Sequence, residues 1–236
     1  MIRATHLDHP LCQTQIDAAN ALHARLPGWQ TADAVLAALG HHFPSNADLV
    51  HVIPKAVTLN SLYATSVLAI QAMARHVAEV LEKAGDQVGI EVVEEIAWLH
   101  GLGPEKDKSR RFLSFASKYC HFFVDPQRFP ILDELAGRAL SHHLGRKNRS
   151  PMSGTAEDYP NYVADIDRLR KAAGLTCDYA ELDHYLWLCG QRLAYQKRKD
   201  ADDRGSINGE VWDLFRQSKD ASARDLVHAA FGAPDQ

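Results

Sequence analysis

The sequence lacks several features that would assign it to a familiar class of protein. Its four cysteines, Cys12, Cys120, Cys177 and Cys189, are widely spaced, and no C-x2-C pair predicts a zinc site, an iron–sulfur cluster or a redox centre. The two His-His pairs do not have the helical spacing of H-E-x-x-H, so we expect no metal and no other cofactor. The cysteines are therefore interpreted as core thiols.

Long apolar runs are missing as well. No stretch approaches about 18 consecutive apolar residues, the length that a membrane-spanning helix needs. The beginning of the chain, MIRATHLDHPLCQTQIDAAN, has no basic segment followed by an apolar run of the kind found in secretory signals. We expect a cytoplasmic protein with no membrane partner.

Alternating apolar and polar runs, typical of strands, are scarce, whereas apolar residues recur at helical spacing along most of the chain. The pattern predicts an all-α protein with a long helix over about 60–85 and a loop over 41–55. The other predicted helices lie at about 13–25, 31–39, 89–103, 134–144, 161–174, 178–197 and 208–217. We expect a single domain, 1–236, built as a two-lobed helical bundle with a cleft between the lobes. The middle lobe covers about 45–145, and 1–44 and 146–236 form the second lobe.

The charges are unevenly distributed. The chain has 26 Lys and Arg against 30 Asp and Glu, a net charge of −4, but segment 106–149 alone carries a balance of +6. Its ten cations are Lys106, Lys108, Arg110, Arg111, Lys118, Arg128, Arg138, Arg146, Lys147 and Arg149. Such segregation is typical either of a solvated basic surface or of a cationic face that binds a phosphate backbone.

Three short strings in the middle of the chain resemble motifs of the helix-hairpin-helix DNA glycosylases, the superfamily of endonuclease III and 8-oxoguanine DNA glycosylase. LNSLYATSV (59–67) is similar to the start of an early helix that places a residue against DNA. LHGLGPEK (99–106) is similar to the hairpin string L-P-G-V-G-x-K, and FPILD (129–133) to the turn that carries the catalytic aspartate. The strings follow the order found in the superfamily and cover about a third of the chain.

The resemblance implies a catalytic carboxylate at Asp133, which would stabilise positive charge that develops on the sugar. The local sequence alone is equally typical of a helix N-cap. The nucleophile is left open between a lysine and water. The family position for a lysine, two residues after Gly103, holds Glu105, so the candidates are Lys106 and Lys118. The 30 residues between Gly103 and Asp133 exceed the family spacing, so the working hairpin is also left open.

The same resemblance suggests the residues that contact DNA. Asn60 and Tyr63 are expected to fill the gap left by an extruded base or to line its pocket, and Trp187 could stack on the base. Gly101 and Gly103 are expected to bind the DNA backbone through their N–H groups. Three basic residues, Lys108, Arg110 and Arg111, are expected to bind phosphates. Core packing and helix capping are the alternative roles of Asn60, Tyr63 and Trp187.

The function that this resemblance implies is excision of a modified base from double-stranded DNA by a monomeric N-glycosylase, with or without strand cleavage. The strings ASKYCHF, FPILD and ELDHYLW also resemble a group of small bacterial proteins with an antiphage glycosylase among them, which suggests hypermodified cytosine in viral DNA as the target. A non-catalytic helix-hairpin-helix DNA-binding module is the alternative function. A helical interaction protein is a third.

Overall fold

The computed structural model describes residues 7, 9–85, 88–99, 110–146, 158–201, 203–217 and 220–232. Within these ranges the protein is all-α, as predicted, apart from one short antiparallel pair of strands, β1 (Trp98–Leu99) and β2 (Arg110–Arg111). The helices are α1 (Gln13–His23), α2 (Pro27–His42), α3 (Leu49–Tyr63), α4 (Ile70–Ala84), α5 (Val92–Ala97), α6 (Leu113–Phe123), α7 (Glu134–His143), α8 (Asp158–Ala173), α9 (Tyr179–Gln196), α10 (Gly209–Gln217) and α11 (Ala221–Phe231).

The chain divides into two compact units. The first, here called the central unit, contains the described residues of Thr31–Asp133 and Met152–Val163. The second, the terminal unit, contains those of Met1–Gln30, Glu134–Pro151 and Ala164–Gln236. The boundaries fall inside α2 and α8 and directly before α7, so each unit is assembled from distant parts of the sequence.

The central unit packs α3 against α4 and α6, and α5 against α4 and α6. Its core is formed by fully buried apolar and aromatic side chains, since each of these helices buries one apolar face. They include Val52, Leu59, Met73, Val77, Ile96, Phe115 and Tyr119. This core holds α6 and the loop that follows it, which together carry the candidate catalytic residues.

The terminal unit packs α1 against α9 and α11, and α7 against α9. The close approach of α7 and α9 depends on Gly190, because a Cβ atom at this position would lie 2.5 Å from the Leu135 carbonyl oxygen. A side chain there would force the two helices apart. The capping box of Asp178 and Glu181 fixes the start of α9.

Some predicted helix boundaries are wrong. The loop predicted over 41–55 contains most of the first half of α3, which begins after the capping residue Asp48 and continues through Pro54. Pro54 lies early in α3, where it removes one helical hydrogen bond without ending the helix. The predicted long helix is in fact two helices, separated at 64–69. Consequently Asn60 and Tyr63 end α3 and do not begin a helix.

Other differences are smaller. The helix predicted at about 31–39 begins earlier, at Pro27, since a proline is tolerated in the first turn of a helix. The helix predicted over 89–103 is only the short α5, which gives way to β1 at Trp98. A last helix, α11, was not predicted. Among the described residues, no helix combines the length and the apolar character that crossing a bilayer would require.

Candidate active site

Lys118 lies in the middle of α6 and is almost completely buried, with 3% of its side chain exposed. The helix is rich in aromatic residues and buries nearly all of its side chains, so Lys118 belongs to a buried and largely apolar helix. Its Nζ donates a hydrogen bond of 3.0 Å to Oγ of Ser114, one turn earlier. The same Nζ lies 5.6 Å from the centroid of the Tyr63 ring, a cation–π distance.

The loop FPILD (129–133) leads into α7, and its backbone is fixed at four consecutive residues. Side chains of the central unit bind the carbonyl oxygens of this loop. The bonds are His121 Nδ1 with Phe129 O (2.8 Å), Tyr159 Oη to Pro130 O (2.9 Å), Tyr162 Oη to Ile131 O (2.8 Å) and Ser117 Oγ to Leu132 O (3.2 Å). The Leu132 N–H in turn donates to Ser117 Oγ at 3.1 Å. Asp133 therefore follows a rigid backbone.

The structure brings Lys118 and Asp133, both predicted to be catalytic, into direct contact. Lys118 Nζ lies 3.3 Å from Asp133 Oδ2. The carboxylate remains 18% exposed, whereas the amine is buried, so a ligand would reach the pair from the side of Asp133. Asp133 also immediately precedes Glu134, the first residue of α7, and so occupies the N-cap position. The alternative nucleophile, Lys106, lies outside the described residues.

Tyr63 fixes the other side of the lysine. Its Oη donates a 2.8 Å hydrogen bond to Oδ1 of Asp33, and its ring lies 5.6 Å from that of Phe122. The ring is thus held between α2 and α6 while its face is within reach of the Lys118 amine. This geometry gives Tyr63 a role in positioning Lys118, which the sequence did not suggest.

The side chain of Asn60 makes three hydrogen bonds near the end of α3. Its side-chain amide donates to the carbonyl oxygen of Val67 (3.1 Å), while its Oδ1 accepts from the Val67 N–H (2.9 Å) and from Thr65 Oγ1 (2.8 Å). These bonds close the turn between α3 and α4. The side chain of Asn60 therefore holds this turn.

Trp187 lies in the terminal unit, where it belongs to a half-buried aromatic cluster. Its ring is 4.1 Å from that of Trp29, which in turn makes an edge contact with His184 at 5.2 Å. His184 stacks on His23 at 3.7 Å. A cluster of this kind is partly a core feature, and it leaves part of the Trp187 face accessible.

Arg111 is not a surface cation. Its guanidinium donates to both oxygens of Glu94 at 2.7 Å and to Asp158 Oδ2 at 2.5 Å, and only 11% of its side chain is exposed. Burial opposes its charged form, but the hydrogen bonds to the two carboxylates prevail and raise the pKa of Arg111. The guanidinium of Arg111 therefore serves the fold through its bonds to Glu94 and Asp158.

The remaining residues predicted to bind the DNA backbone are not placed by the structure. Gly101, Gly103 and Lys108 lie outside the described residues, and of Arg110 only the backbone, in β2, is described. Three other cations of the basic segment have internal acceptors: Arg128 binds the Val88 carbonyl, Arg138 pairs with Glu134, and Arg146 pairs with Asp165. The charges of Arg138 and Arg146 are therefore compensated locally, whereas Arg128 donates to a neutral carbonyl.

Sequence reasoning missed a second buried lysine, Lys55 in α3, which is 1% exposed. Its Nζ donates to the Ser45 carbonyl (2.9 Å) and to Asn46 Oδ1 (2.5 Å). Burial lowers the pKa of Lys55 to about 8. A lysine inside the apolar pattern of α3 is the signal that could have identified it, had the helix been predicted.

Residues 12–128 match the family model HI_0787_N, which is described as an N-terminal domain. The match covers slightly less than half of the chain, and it includes Lys118 and Tyr63 but ends before Asp133. No curated protein and no solved structure matches the chain. The similarity is confined to this part of the chain, and the description of the family model names no activity.

Proposed function

We propose that the protein is a DNA N-glycosylase that uses Lys118 and Asp133 to excise a modified base from double-stranded DNA. The observation that carries the proposal is the contact of 3.3 Å between a buried lysine amine and a partly exposed aspartate at the end of a rigid loop. An ordinary surface ion pair would need neither the burial nor the fixed backbone, and would contribute little to stability.

The pair can perform the reaction in a balanced sequence of steps. Asp133 accepts a proton from the Lys118 ammonium, and the amine lone pair then forms a bond to C1′ of the deoxyribose. The bond between C1′ and the base breaks, its electron pair leaves with the base, and the base takes up the proton that Asp133 received from Lys118. As Asp133 gives up that proton it becomes a carboxylate again, and its negative charge near C1′ stabilises the positive charge that develops on the sugar. Opening of the sugar gives an iminium on Lys118, from which strand cleavage by elimination can follow.

The surroundings of Lys118 support an amine that acts from a fixed position. Ser114 Oγ holds Nζ from within α6, and the Tyr63 ring covers it from α3. Because both contacts come from rigid helices, the amine has little freedom to reorient before attack. Less orientational entropy is then lost on reaching the reacting geometry, which favours attack on C1′. Water oriented by Asp133 is the alternative nucleophile, and the experiment below separates the two.

The test is covalent trapping with borohydride, which reduces the iminium and leaves the protein attached to DNA. Labelled duplexes with oxidised, alkylated or deaminated bases, and phage DNA rich in hypermodified cytosine, serve as substrates. The unchanged protein should release a base from one of them and form the adduct. Lys118→Gln should abolish the adduct, whereas Lys83→Gln, which removes an exposed lysine of the same unit, should leave it unchanged.

Asp133→Asn separates the catalytic role from capping. Asparagine caps a helix about as well as aspartate, so the melting temperature should hardly change. Base release should fall by roughly 10²-fold or more, since stabilisation of developing charge contributes about 2.7–4 kcal/mol. Full activity of Asp133→Asn would contradict the proposal. Base release without any adduct would assign the attack to water, and DNA binding without base release would favour a non-catalytic module.

A further inference from the structure

The helix α2 contains one acidic residue, Asp33, in a largely apolar sequence. Asp33 is half-buried and lies three residues before Leu36, whose side chain is fully buried. Residues three apart are neighbours on a helix surface, so Asp33 lies on the side of α2 that faces the core. A carboxylate that served only to solvate the helix would lie on the opposite side, and we therefore looked for its partner within the central unit.

One partner of Asp33 is Tyr63, the last residue of α3. Tyr63 Oη donates a hydrogen bond of 2.8 Å to Asp33 Oδ1, and a bond to an ionised carboxylate is stronger than one between neutral groups. The helix ends directly after Tyr63, because Ala64 has a left-handed backbone with φ of 47°. The ring therefore projects from the end of a helix, and the bond to Asp33 fixes its outer edge.

The part of α2 that carries Asp33 is a firm support, because it is packed against the rest of the central unit. Leu36 anchors it in the core. Farther along, α2 lies directly against the end of α6, since a Cβ atom at Gly40 would lie 3.6 Å from a ring carbon of Phe123. Lys118 is a residue of the same α6, so Asp33 and Lys118 lie on two helices that contact each other.

The Tyr63 ring is one of the groups described around the Lys118 amine. Its centroid lies 5.6 Å from Nζ, while Ser114 Oγ lies at 3.0 Å and Asp133 Oδ2 at 3.3 Å. Ser114 belongs to α6 itself and Asp133 to the loop before α7, so the ring contributes the contact from α3. A ring that could turn away would uncover this side of the amine, and Nζ would then be free to swing away from Asp133.

We infer that Asp33 is a positioning residue for Lys118, on which it acts by holding the Tyr63 ring against the amine. The importance of this positioning for catalysis rests on the proposed function. The amine must face Asp133 before it can give up its proton and attack, and a fixed ring reduces the number of orientations that it can adopt. If the bond of Asp33 to Tyr63 served only to join α2 to α3, the surroundings of Lys118 would not depend on Asp33.

The first measurement needs no DNA. Reductive methylation by formaldehyde and cyanoborohydride is followed at each lysine by peptide mass spectrometry, well below the melting temperature. In Asp33→Ala the rate at Lys118 should rise about five-fold, because the ring no longer covers the amine. Two lysines of the same unit are internal controls that should not change. Lys83 is exposed and reports the reagent, and Lys55 is buried and reports any general loosening of the fold.

Further variants separate the bond from the residue. Asp33→Asn keeps an oxygen that can accept from Tyr63, so Lys118 should react within about two-fold of its rate in the unchanged protein. Tyr63→Phe keeps the ring but removes its hydroxyl, and it should match Asp33→Ala. Combining Tyr63→Phe with Asp33→Ala should add nothing, because both remove the same bond. Glu79→Ala, which removes an exposed carboxylate of α4, is the matched control and should have no effect.

The second measurement is base release from DNA. Asp33→Ala should lower kcat about ten-fold and leave KM nearly unchanged, because orientation is lost and DNA binding is not. The positioning role is overturned if the methylation rate of Lys118 does not change in Asp33→Ala, if it rises only together with that of Lys55, or if kcat is unaffected. None of these results contradicts the glycosylase proposal. If the unchanged protein releases no base, that proposal falls, and the methylation rates still decide whether Asp33 positions Lys118.

Discussion

Two lysines of the central unit are buried to a similar degree, but their partners differ. Lys118 contacts a carboxylate, whereas the acceptors of Lys55 are a backbone carbonyl and the amide oxygen of Asn46. Neutral acceptors compensate a buried ammonium less well than a carboxylate does, which agrees with the lowered pKa of Lys55. Lys55 therefore links α3 to the preceding loop, and the acceptors described for it are neutral.

The pKa of Lys55 predicts a pH dependence of stability. In the folded protein Lys55 loses its proton near pH 8, whereas in the unfolded chain it does so near 10.5. Between these values the unfolded chain binds more protons, so the free energy of unfolding should rise with pH. Below pH 8 both states are protonated, and the cost of the buried charge is present in full.

Urea unfolding of the unchanged protein and of Lys55→Met, measured from pH 7 to pH 10.5, checks this prediction. The difference in stability should shift in favour of the unchanged protein by about 1 kcal/mol per pH unit above pH 8. The hydrogen bonds that methionine cannot make add an offset that does not vary with pH. A difference that stays constant over the whole range would contradict the lowered pKa.

At the scale of elements, the turn at 64–69 is defined by one side chain. The Val67 N–H is buried and bonds to Asn60 Oδ1, so Asn60→Ala would leave this donor without its acceptor. A buried group that loses its partner costs about 1–3 kcal/mol. We expect Asn60→Ala to lower stability by about that amount and to reduce amide hydrogen-exchange protection at Val67.

Thr65→Val is the matched control, since it removes only the bond from the hydroxyl to Asn60. It should leave the protection of the Val67 amide nearly unchanged. Unaltered protection at Val67 in Asn60→Ala would show that the backbone holds the turn without the side chain.

The same element shows what could be predicted from the sequence. Helical periodicity was sufficient for the all-α fold, and the aromatic-rich string around Lys118 and the turn before Asp133 were recognised from local residues. The position of α3 was not predicted, because residues 49–55 were assigned to a loop, whereas the helix runs from Leu49 to Tyr63 with Pro54 inside it. The turn at 64–69 depends on left-handed residues other than glycine, which local sequence does not announce.

At the scale of the molecule, the central unit is assembled from two separate parts of the chain, because Glu134–Pro151 belong to the terminal unit. Residues 158–163 bring Tyr159 and Tyr162 to the loop before Asp133, where their hydroxyls fix two carbonyl oxygens. Contacts between residues some 30 positions apart leave no periodic signal, so they could not be predicted. The ion pairs of Arg111 could not be predicted either. The charge balance of segment 106–149 includes Arg111 but does not show which carboxylates lie near it.

A buried group of charges holds the start of α8 in the central unit. It consists of Arg111 in β2, Glu94 in α5 and Asp158, the first residue of α8. The Tyr159 N–H also donates to Glu94 Oε1 at 2.7 Å, so the same carboxylate anchors the backbone beside the tyrosines. Loss of the guanidinium would leave the two buried carboxylates without the cation that they share. Such losses are strongly destabilising, because the remaining charges cannot be solvated.

Arg111→Met should therefore lower the free energy of unfolding by about 3–5 kcal/mol, as measured in urea. Adding Glu94→Gln and Asp158→Asn to Arg111→Met should recover part of this loss, because no buried charge is then left uncompensated.

A surface arginine that binds phosphate would behave differently. Its removal would leave stability unchanged, weaken DNA binding and reduce the salt dependence by about one unit of slope. The guanidinium is nearly buried between two carboxylates, so we expect the loss of stability and not the loss of phosphate binding. The salt dependence of DNA binding should be unchanged in the triple variant.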